Sequence, residues 1–595
     1  MQTDNDVHQQ FAGFFKSNRL KPYAYLVSKR LAEGHICLNL TNINLLPEEV
    51  AYIEKYGLLE DTKQLAEEPL VSQPEQEKQP FILHQQKLYL QRYFAYESAI
   101  VEAISFLTTT ENAERSHRMN LLQTHKPFIN SLSAGAGLND LNSSGTDWQL
   151  VAAILGILNN FTIITGGPGT GKTTTVAKIL AILYTVQPNL KVALAAPTGK
   201  AAVRMAESLK SSRINIDASI KEKFQSLVPG TIHRLLKFIP GSPYFKHDRE
   251  NPLVHDIVIV DEASMIDVAL FAKLLSAIGP KTRIILLGDK DQLASVEAGS
   301  LLGDLCQTQN KMNSISVSTA AFINTLIPRT EEYITDEYIT SGENALSEHI
   351  IELKKSHRFT EVGGIGIFSK AIINGRVKEI EAFIASNSNA EVLIDTQYSE
   401  GAFNEFIKGY ENYINEKDTE AALEKLNQLR VLCAVREGPY GLDAVNRKIV
   451  EWLVSRKSIN NTVEFYLNRP IIVTRNFPAL NLYNGDVGII RADNKGSLKA
   501  WFEDGNSNLK SVLPGYISSA ETVFAMTIHK SQGSEYEKVL VMLPPNADQP
   551  LLTRELLYTA VTRAKKSVLL QASRESIVYT AGRSVQRASG IMERF

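Results

Sequence analysis

The sequence predicts an α/β fold of two parallel-sheet halves, with a small β-barrel inserted in the second half and a mainly helical region ahead of the first. Three observations predict it. From Asp147 onward, short apolar β runs alternate with helical segments, as parallel βαβ units require. The run Phe161 to Ile164 opens into Gly166-Gly167-Pro168-Gly169-Thr170-Gly171-Lys172-Thr173 ahead of a helix-patterned stretch, which is a phosphate-binding loop by spelling and by context. Between Val463 and Ser519 the texture changes to short β segments broken by Asn484-Gly485-Asp486, Asn494-Lys495-Gly496 and Asp504-Gly505-Asn506, the pattern of a small barrel.

A chain of 595 residues exceeds one core, and roughly 150 residues per domain suggests about four units. Hydrophobic content of 44% and charged content of 22% are ordinary for a globular protein, which excludes wholesale disorder. No apolar run reaches the ~18 residues that span a bilayer, and the start lacks a basic and apolar leader, so a cytoplasmic location is expected. Cys37, Cys306 and Cys433 stand at unrelated spacings and read as reduced, buried thiols. His35 lies near Cys37 without a second ligand pair, so no zinc site is expected there. A net charge of −2 leaves no general basic coat, and any DNA contact is expected in a local groove.

In chain order, residues 1–110 carry no nucleotide motif, and 41–80 hold nine acids against three lysines, which suits docking to protein partners better than a DNA face. Leu88 to Leu107 has apolar and aromatic residues at helical spacing and reads as an ordinary core helix. The Ser/Gly/Asn-rich stretch Leu132 to Asp147 marks a junction before the nucleotide-binding part of the chain, and a first α/β half is expected over 111–355. Its strands are expected at Phe161–Ile164, Val192–Ala196, Ile257–Val260 and Ile284–Leu287. Thr308 to Ser341 reads as a loop or insertion. The second half covers 356–595, with strands at Arg430–Val435, Val539–Met542 and Ser567–Leu570 and the barrel over 463–519.

The phosphate loop implies a nucleoside triphosphate. Its glycines turn backbone N–H groups onto phosphates, Lys172 reaches the β- and γ-phosphates, and the Thr173 hydroxyl, with Thr174 beside it, can hold Mg²⁺. The run Ile257 to Val260 ends in Asp261-Glu262, two acids at the edge where open α/β sheets bind ligands. Asp261 suits the metal and Glu262 the attacking water, although adjacent acids at a strand end are often only a solvated turn. Gln292, after the strand that precedes Asp289, is a candidate sensor of the γ-phosphate, and a solvated loop glutamine is the alternative. Arg358 and Arg563 can each enter a cleft to stabilise a transferring phosphoryl group, whereas isolated arginines usually form surface ion pairs.

The motifs together resemble superfamily one DNA helicases. Asp147-Trp148-Gln149, GGPGTGKT, APTGKAA, TIHRLL, VDEAS, GDKDQLASVEAG, SHRF, TIHKSQGSE and YTAVTRAKK follow one another in that family's order, and the match is closest to the RecD family, the alpha subunits of exodeoxyribonuclease V. It covers residues 145 to 595 through these motifs, while the N-terminal region agrees in length and in strings such as EGHICLNL. The resemblance implies two RecA-like P-loop domains, an SH3-like inserted barrel, ATP and Mg²⁺ as cofactors, and 5′ to 3′ movement on single-stranded DNA. It also implies a heterotrimer with the beta and gamma subunits (RecB and RecC) that unwinds and degrades duplex DNA ends in double-strand break repair, its nuclease lying in the beta subunit. By position, Gln149 resembles the adenine-reading glutamine, Glu535 the ribose-binding acid, and Arg358 and Arg563 the pair that closes over ATP. Thr198, Lys200, His233, Thr527 and His529 resemble strand-contacting positions.

Two other readings stand beside this one: a free-standing RecD-like or conjugative helicase, and a regulatory subunit that binds ATP and moves nothing. The acidic N-terminal segment and the intact candidate roles weigh against them respectively. A GTPase would need an Asn-Lys-x-Asp string, which the sequence lacks.

Overall fold

Apolar β-branched runs become buried strands, and their alternating side chains fill two cores. The structure, a computed structural model, describes residues 6–58, 62–133, 145–212, 214–340, 344–359, 363–386, 389–503, 509–546 and 549–595. The first sheet runs in the order Ile350–Glu352, Phe161–Thr165, Arg283–Gly288, Ile257–Val260, Val192–Ala196, Gly230–Thr231, with every neighbour parallel. Ile164, Ile257, Ile259, Ile285 and Leu287 face a core shared with helices Trp148–Leu158 and Lys172–Val186. Phe161, Ile163, Val258, Val260, Ile284 and Leu286 face another, shared with Gln91–Thr110 and Val268–Ser276.

A second parallel sheet has the order Val392–Asp395, Ala564–Gln571, Tyr536–Met542, Leu429–Cys433, Ala525–Thr527. Every expected strand is present. The strands not anticipated, Gly230–Thr231, Ile350–Glu352, Val392–Asp395 and Ala525–Thr527, are two to four residues long and lie at or beside sheet edges, too short to show an apolar run. Between these sheet strands, residues 470–522 form a five-stranded antiparallel sheet in the order Leu509–Val512, Leu498–Glu503, Val487–Ala492, Pro470–Val473, Ala520–Thr522. Its end strands do not pair with each other among the described residues, and Ile471, Val473, Ile490, Ala500 and Phe502 form its own small core.

Three readings need correction. The helix expected over 88–107 starts later, because Lys87–Leu90 is the second strand of a hairpin with Phe81–His84 and the helix runs Gln91–Thr110. Gln85 and Gln86 both take positive φ, +46° and +59°, the geometry of a two-residue hairpin turn that their identity does not advertise. The N-terminal region therefore combines its helices with a four-stranded sheet. The stretch expected as a loop over 308–341 holds the ordered helix Val317–Leu326, whose N-cap Ser316 accepts from Thr319 N–H, and buries Ile323, Leu326, Ile334 and Tyr338 in the first core. Here a serine caps a helix rather than solvating a loop. The junction expected at Leu132 to Asp147 lies largely outside the described residues.

All three cysteines are buried and free. Among the described residues no helix is long and apolar enough to cross a membrane. After helix Arg574–Gly582 the chain leaves the second sheet, and Ile591 buries completely in the core that also holds Ile36, Tyr89, Ile100 and Leu305. Ile591→Ala should cost about 2–5 kcal/mol of stability, as a buried aliphatic truncation does. A urea transition at the wild-type midpoint would contradict that packing.

Candidate active site

Strand Phe161–Thr165 delivers the chain to the phosphate loop, and helix Lys172–Val186 starts immediately after Gly171. Gly169 and Gly171 hold φ of +77° and +88°, where a side chain is strained. There is no room for one either. A Cβ on Gly171 would collide with the Gln149 amide, one on Gly169 with Arg358, and one on Gly166 would lie 3.0 Å from the Leu353 carbonyl oxygen. Lys172 Nζ donates to the carbonyls of Gly166 (2.6 Å) and Gly167 (3.2 Å), and the Thr170 hydroxyl donates to Gly167 (2.8 Å).

A cavity of about 1120 Å³ opens over this loop between the two sheets. Gln149, Pro168 to Thr174, Asp261, Glu262, Gln292, Arg358, Glu535 and Arg563 all line it. Of the nucleotide-site residues read from the sequence, Gly166 and Gly167 alone lie behind the lining, where their carbonyls receive Lys172.

Charge is concentrated at the strand ends. Burial, then the neighbouring Glu262 carboxylate, pushes Asp261 up to about 7 against the pull of Lys172. Asp289 is pushed up to about 6 by burial, again with Lys172 opposing. Glu262 sits at φ +51°, an uncommon conformation for a residue with a side chain, and donates its N–H to Asp261 Oδ1 (2.8 Å). Asp289 accepts from Gln292 Nε2 (3.0 Å) and from the Tyr558 hydroxyl (3.1 Å). That leaves Gln292 Oε1 buried with no hydrogen-bond partner, and Arg358 Nη1 is in the same condition. Arg358 pairs through Nη2 with Glu535. Burial raises the Glu535 carboxyl, but Arg358 and Arg204 outweigh it and hold the group below its ordinary value. Arg563 is buried and donates to the carbonyls of Thr559 and Ser534, both at 3.2 Å. Gln149 Nε2 donates to the Thr170 carbonyl (3.2 Å) and opens onto a side cavity of about 290 Å³ walled by Trp148, Tyr338 and Lys354.

Comparison with known proteins decides the family. Residues 5–89 match the family model described as the RecBCD enzyme subunit RecD, N-terminal domain, residues 149–298 match an AAA domain, and 522–571 match the UvrD-like helicase C-terminal domain. The RecBCD enzyme subunit RecD of Mycobacterium tuberculosis is 35% identical over 530 residues, 87% of this chain and 82% of the relative. That of Haemophilus influenzae is 37% identical over 484 residues, 75% and 72% respectively. This chain belongs to the RecD family. It is an ATP-dependent DNA helicase subunit, with both helicase-type halves present. Among solved structures, Bacteroides Pif1 bound to ssDNA overlaps 72% of this chain and 93% of its own, at 18% identity and a TM-score of 0.38.

The strand-contacting candidates of this RecD-family chain do not gather at the cavity. Thr198 caps helix Gly199–Lys210, accepting from Ala201 N–H (3.3 Å), and a Cβ on Gly199 would meet the Tyr483 ring, in a loop of the inserted sheet, at 3.9 Å. Burial pulls the Lys200 ammonium down, with Tyr536 and Asp486 among the groups whose charge opposes that. His233 is exposed and meets Phe245 edge-on at 5.6 Å. Thr527 accepts from Lys530 N–H (3.3 Å), and His529 is pulled down by burial and then by Arg587. Among the residues that shape the site without having been read from the sequence, one lines the cavity and another stands behind it. Arg204, one helical turn beyond Lys200, lines the cavity and donates to Gly533 (2.6 Å), and Tyr558 supports Asp289 from within YTAVTRAKK. The helical i, i+4 spacing from Lys200 was the available signal for Arg204.

Because the folded-state value of Asp261 lies above its ordinary one, the folded chain binds more protons than the unfolded chain between about pH 4 and pH 7. Its contribution to stability is therefore lost as pH rises through that window. Asp261→Asn should melt above the wild type at pH 8 and together with it at pH 4 when no nucleotide is added. A lower melting temperature for the variant at pH 8 would contradict the assignment.

Proposed function

We propose that this cavity hydrolyses ATP to drive the chain 5′ to 3′ along single-stranded DNA, as the alpha subunit of a heterotrimer with RecB and RecC. The observation that carries the reading is a single cavity lined by Lys172, Asp261, Glu262 and Gln292 from one side and by Arg563 and Glu535 from the other. Lys172 sits where it can hold the β- and γ-phosphates, and Glu262 where it can take a proton from the attacking water. The residues fit a nucleotide with Mg²⁺: the loop excludes side chains, and two buried polar atoms, on Gln292 and Arg358, lack partners. Thr173 and Asp261 would hold the metal, whose chemistry when bound is to offset phosphate charge. Gln292 reports the γ-phosphate, its amide oriented by Asp289. Arg358 divides its guanidinium between Glu535 and the phosphates, while Arg563 closes from the second sheet. Gln149 reads the base and Glu535 the ribose.

Residues 1–110 dock the partner subunits, and the assembly acts at duplex DNA ends in double-strand break repair and DNA degradation. Thr198, Lys200, His233, Thr527 and His529 contact the strand backbone. We assign the sheet over 470–522 the part of the inserted barrel, coupled to the strand path where Tyr483 meets Gly199.

Unwinding of duplexes with a 5′ or a 3′ single-stranded tail tests the motor. The 5′-tailed duplex alone should open, and Lys172→Gln should open neither, whereas opening only the 3′-tailed duplex would sink the polarity. Glu262→Gln should retain ATP binding and lose at least ~10²-fold in turnover. Deleting residues 463–519 should remove DNA-stimulated ATPase more than basal ATPase, and equal loss of both would count against coupling through the inserted sheet.

A further inference from the structure

The chain's last residues make contacts that hydrolysis as described leaves without a use. Val585 is still on the second unit, donating its N–H to Glu555 (3.0 Å), and the chain then crosses to the first. Arg587 donates from Nη1 to the carbonyls of Glu297 (3.2 Å) and Gly299 (2.9 Å) and from Nη2 to Ser295 (2.7 Å). Those carbonyls belong to the loop that leaves strand Arg283–Gly288 and carries Gln292. Its other stretch is also gripped from the second unit. Leu293 N–H donates to the Thr559 hydroxyl (2.9 Å), Gln532 Nε2 donates to the Leu293 carbonyl (2.6 Å), and the Leu293 side chain lies in the second unit's core.

The same point is tied to the N-terminal region. Gly299 N–H donates to the Gly34 carbonyl (2.9 Å), Ile36 N–H to the Ala588 carbonyl (2.9 Å), and Ala588 N–H to His35 Nδ1 (2.9 Å). Gly34 lies beneath the guanidinium, where a Cβ would come within 2.8 Å of Arg587 Cζ. Arg587 does not line the cavity, and its donors engage backbone carbonyls, so it is no phosphate ligand. A planar fork that spans three carbonyls is an arginine geometry that a lysine ammonium cannot reproduce.

We propose that Arg587 is a positioning residue for ATP hydrolysis, fixing the Gln292 loop jointly to the second unit and to the N-terminal region, so that cleft closure and events at that region both act on Gln292. The inference rests on the hydrolytic reading of the cavity. Misplacing a sensor by about an ångström costs up to ~10²-fold in rate while leaving ground-state binding alone.

The test is steady-state ATPase of the full chain with saturating single-stranded DNA, comparing wild type, Arg587→Ala, Arg587→Lys and Arg594→Ala, alongside melting curves and binding of a fluorescent ATP analogue. Arg594 anchors the same tail to Ser98 and Glu97 of helix Gln91–Thr110. Arg587→Ala should lower kcat by about 10- to 100-fold with KM and analogue binding within about twofold. Arg587→Lys should stay at least about threefold below wild type, and Arg594→Ala within about twofold of it. Equal kcat in Arg587→Ala and Arg594→Ala, or a loss that follows melting temperature in both, would overturn the positioning role and leave the tail a structural strap. A wild-type chain without ATPase would instead remove the hydrolytic reading, and this inference with it.

Discussion

Lys172 is the counter-charge to the buried Asp289 and the half-buried Asp261, and the rest of the cleft is arranged around that imbalance. Asp261 and Asp289 stand at the ends of adjacent strands, Ile257–Val260 and Arg283–Gly288, and the phosphate-loop strand Phe161–Thr165 lies beside the second of them. Parallel pairing brings all three C-terminal ends to one edge, so one ammonium draws down two carboxylates that burial drives up. One positive charge against two acids is a poor match in a low-dielectric site. Asp289 is relieved by hydrogen bonds from Gln292 and Tyr558, which at the same time hold the Gln292 loop and the second unit in place.

Much of this was legible in the sequence because the physics that sets it is local. Ile257–Val260 reads as a strand from four consecutive apolar β-branched residues, and the phosphate loop from glycines that sterics enforce at Gly169 and Gly171. The pattern fails where the cause is non-local. Ala525–Thr527 and Ile350–Glu352 are strands because a neighbour pairs with them, not because their composition demands it. The hairpin at Gln85 and Gln86 takes left-handed backbone without glycine or asparagine, which turn chemistry does not foresee. In the site, motif order gathered the cavity residues well, yet Arg204 and Tyr558 enter through helix phase and cross-unit packing, which spacing alone does not reveal. The motif positions Thr198, Lys200, His233, Thr527 and His529 share a family order and do not line the cavity over the phosphate loop.

The acids at the strand end carry a local cost in stability. Glu262 adopts φ +51°, and its neighbour Asp261 is held where its charged form is disfavoured, two local costs that a side chain chosen for folding alone would avoid. Around them the sheet is buried on both faces by interlocked aliphatic residues, which over-determine the strand ends and make such costs tolerable.

The N-terminal region is not an appendage on this core. Helix Gln91–Thr110 shares a hydrophobic core with strand residues Phe161, Ile163 and Val260, and Ile591 from the far end of the chain enters that core beside Ile100 and Ile104. A close-packed interior transmits displacement rather than absorbing it, since side chains locked in one arrangement have no slack to take up a shift. A load applied to the sheet of residues 37–90 therefore reaches the strands that carry the phosphate loop and the acids through contiguous packing. It also reaches the second unit through the tail, which packs into the same core, so that region is tied to both halves that border the cleft.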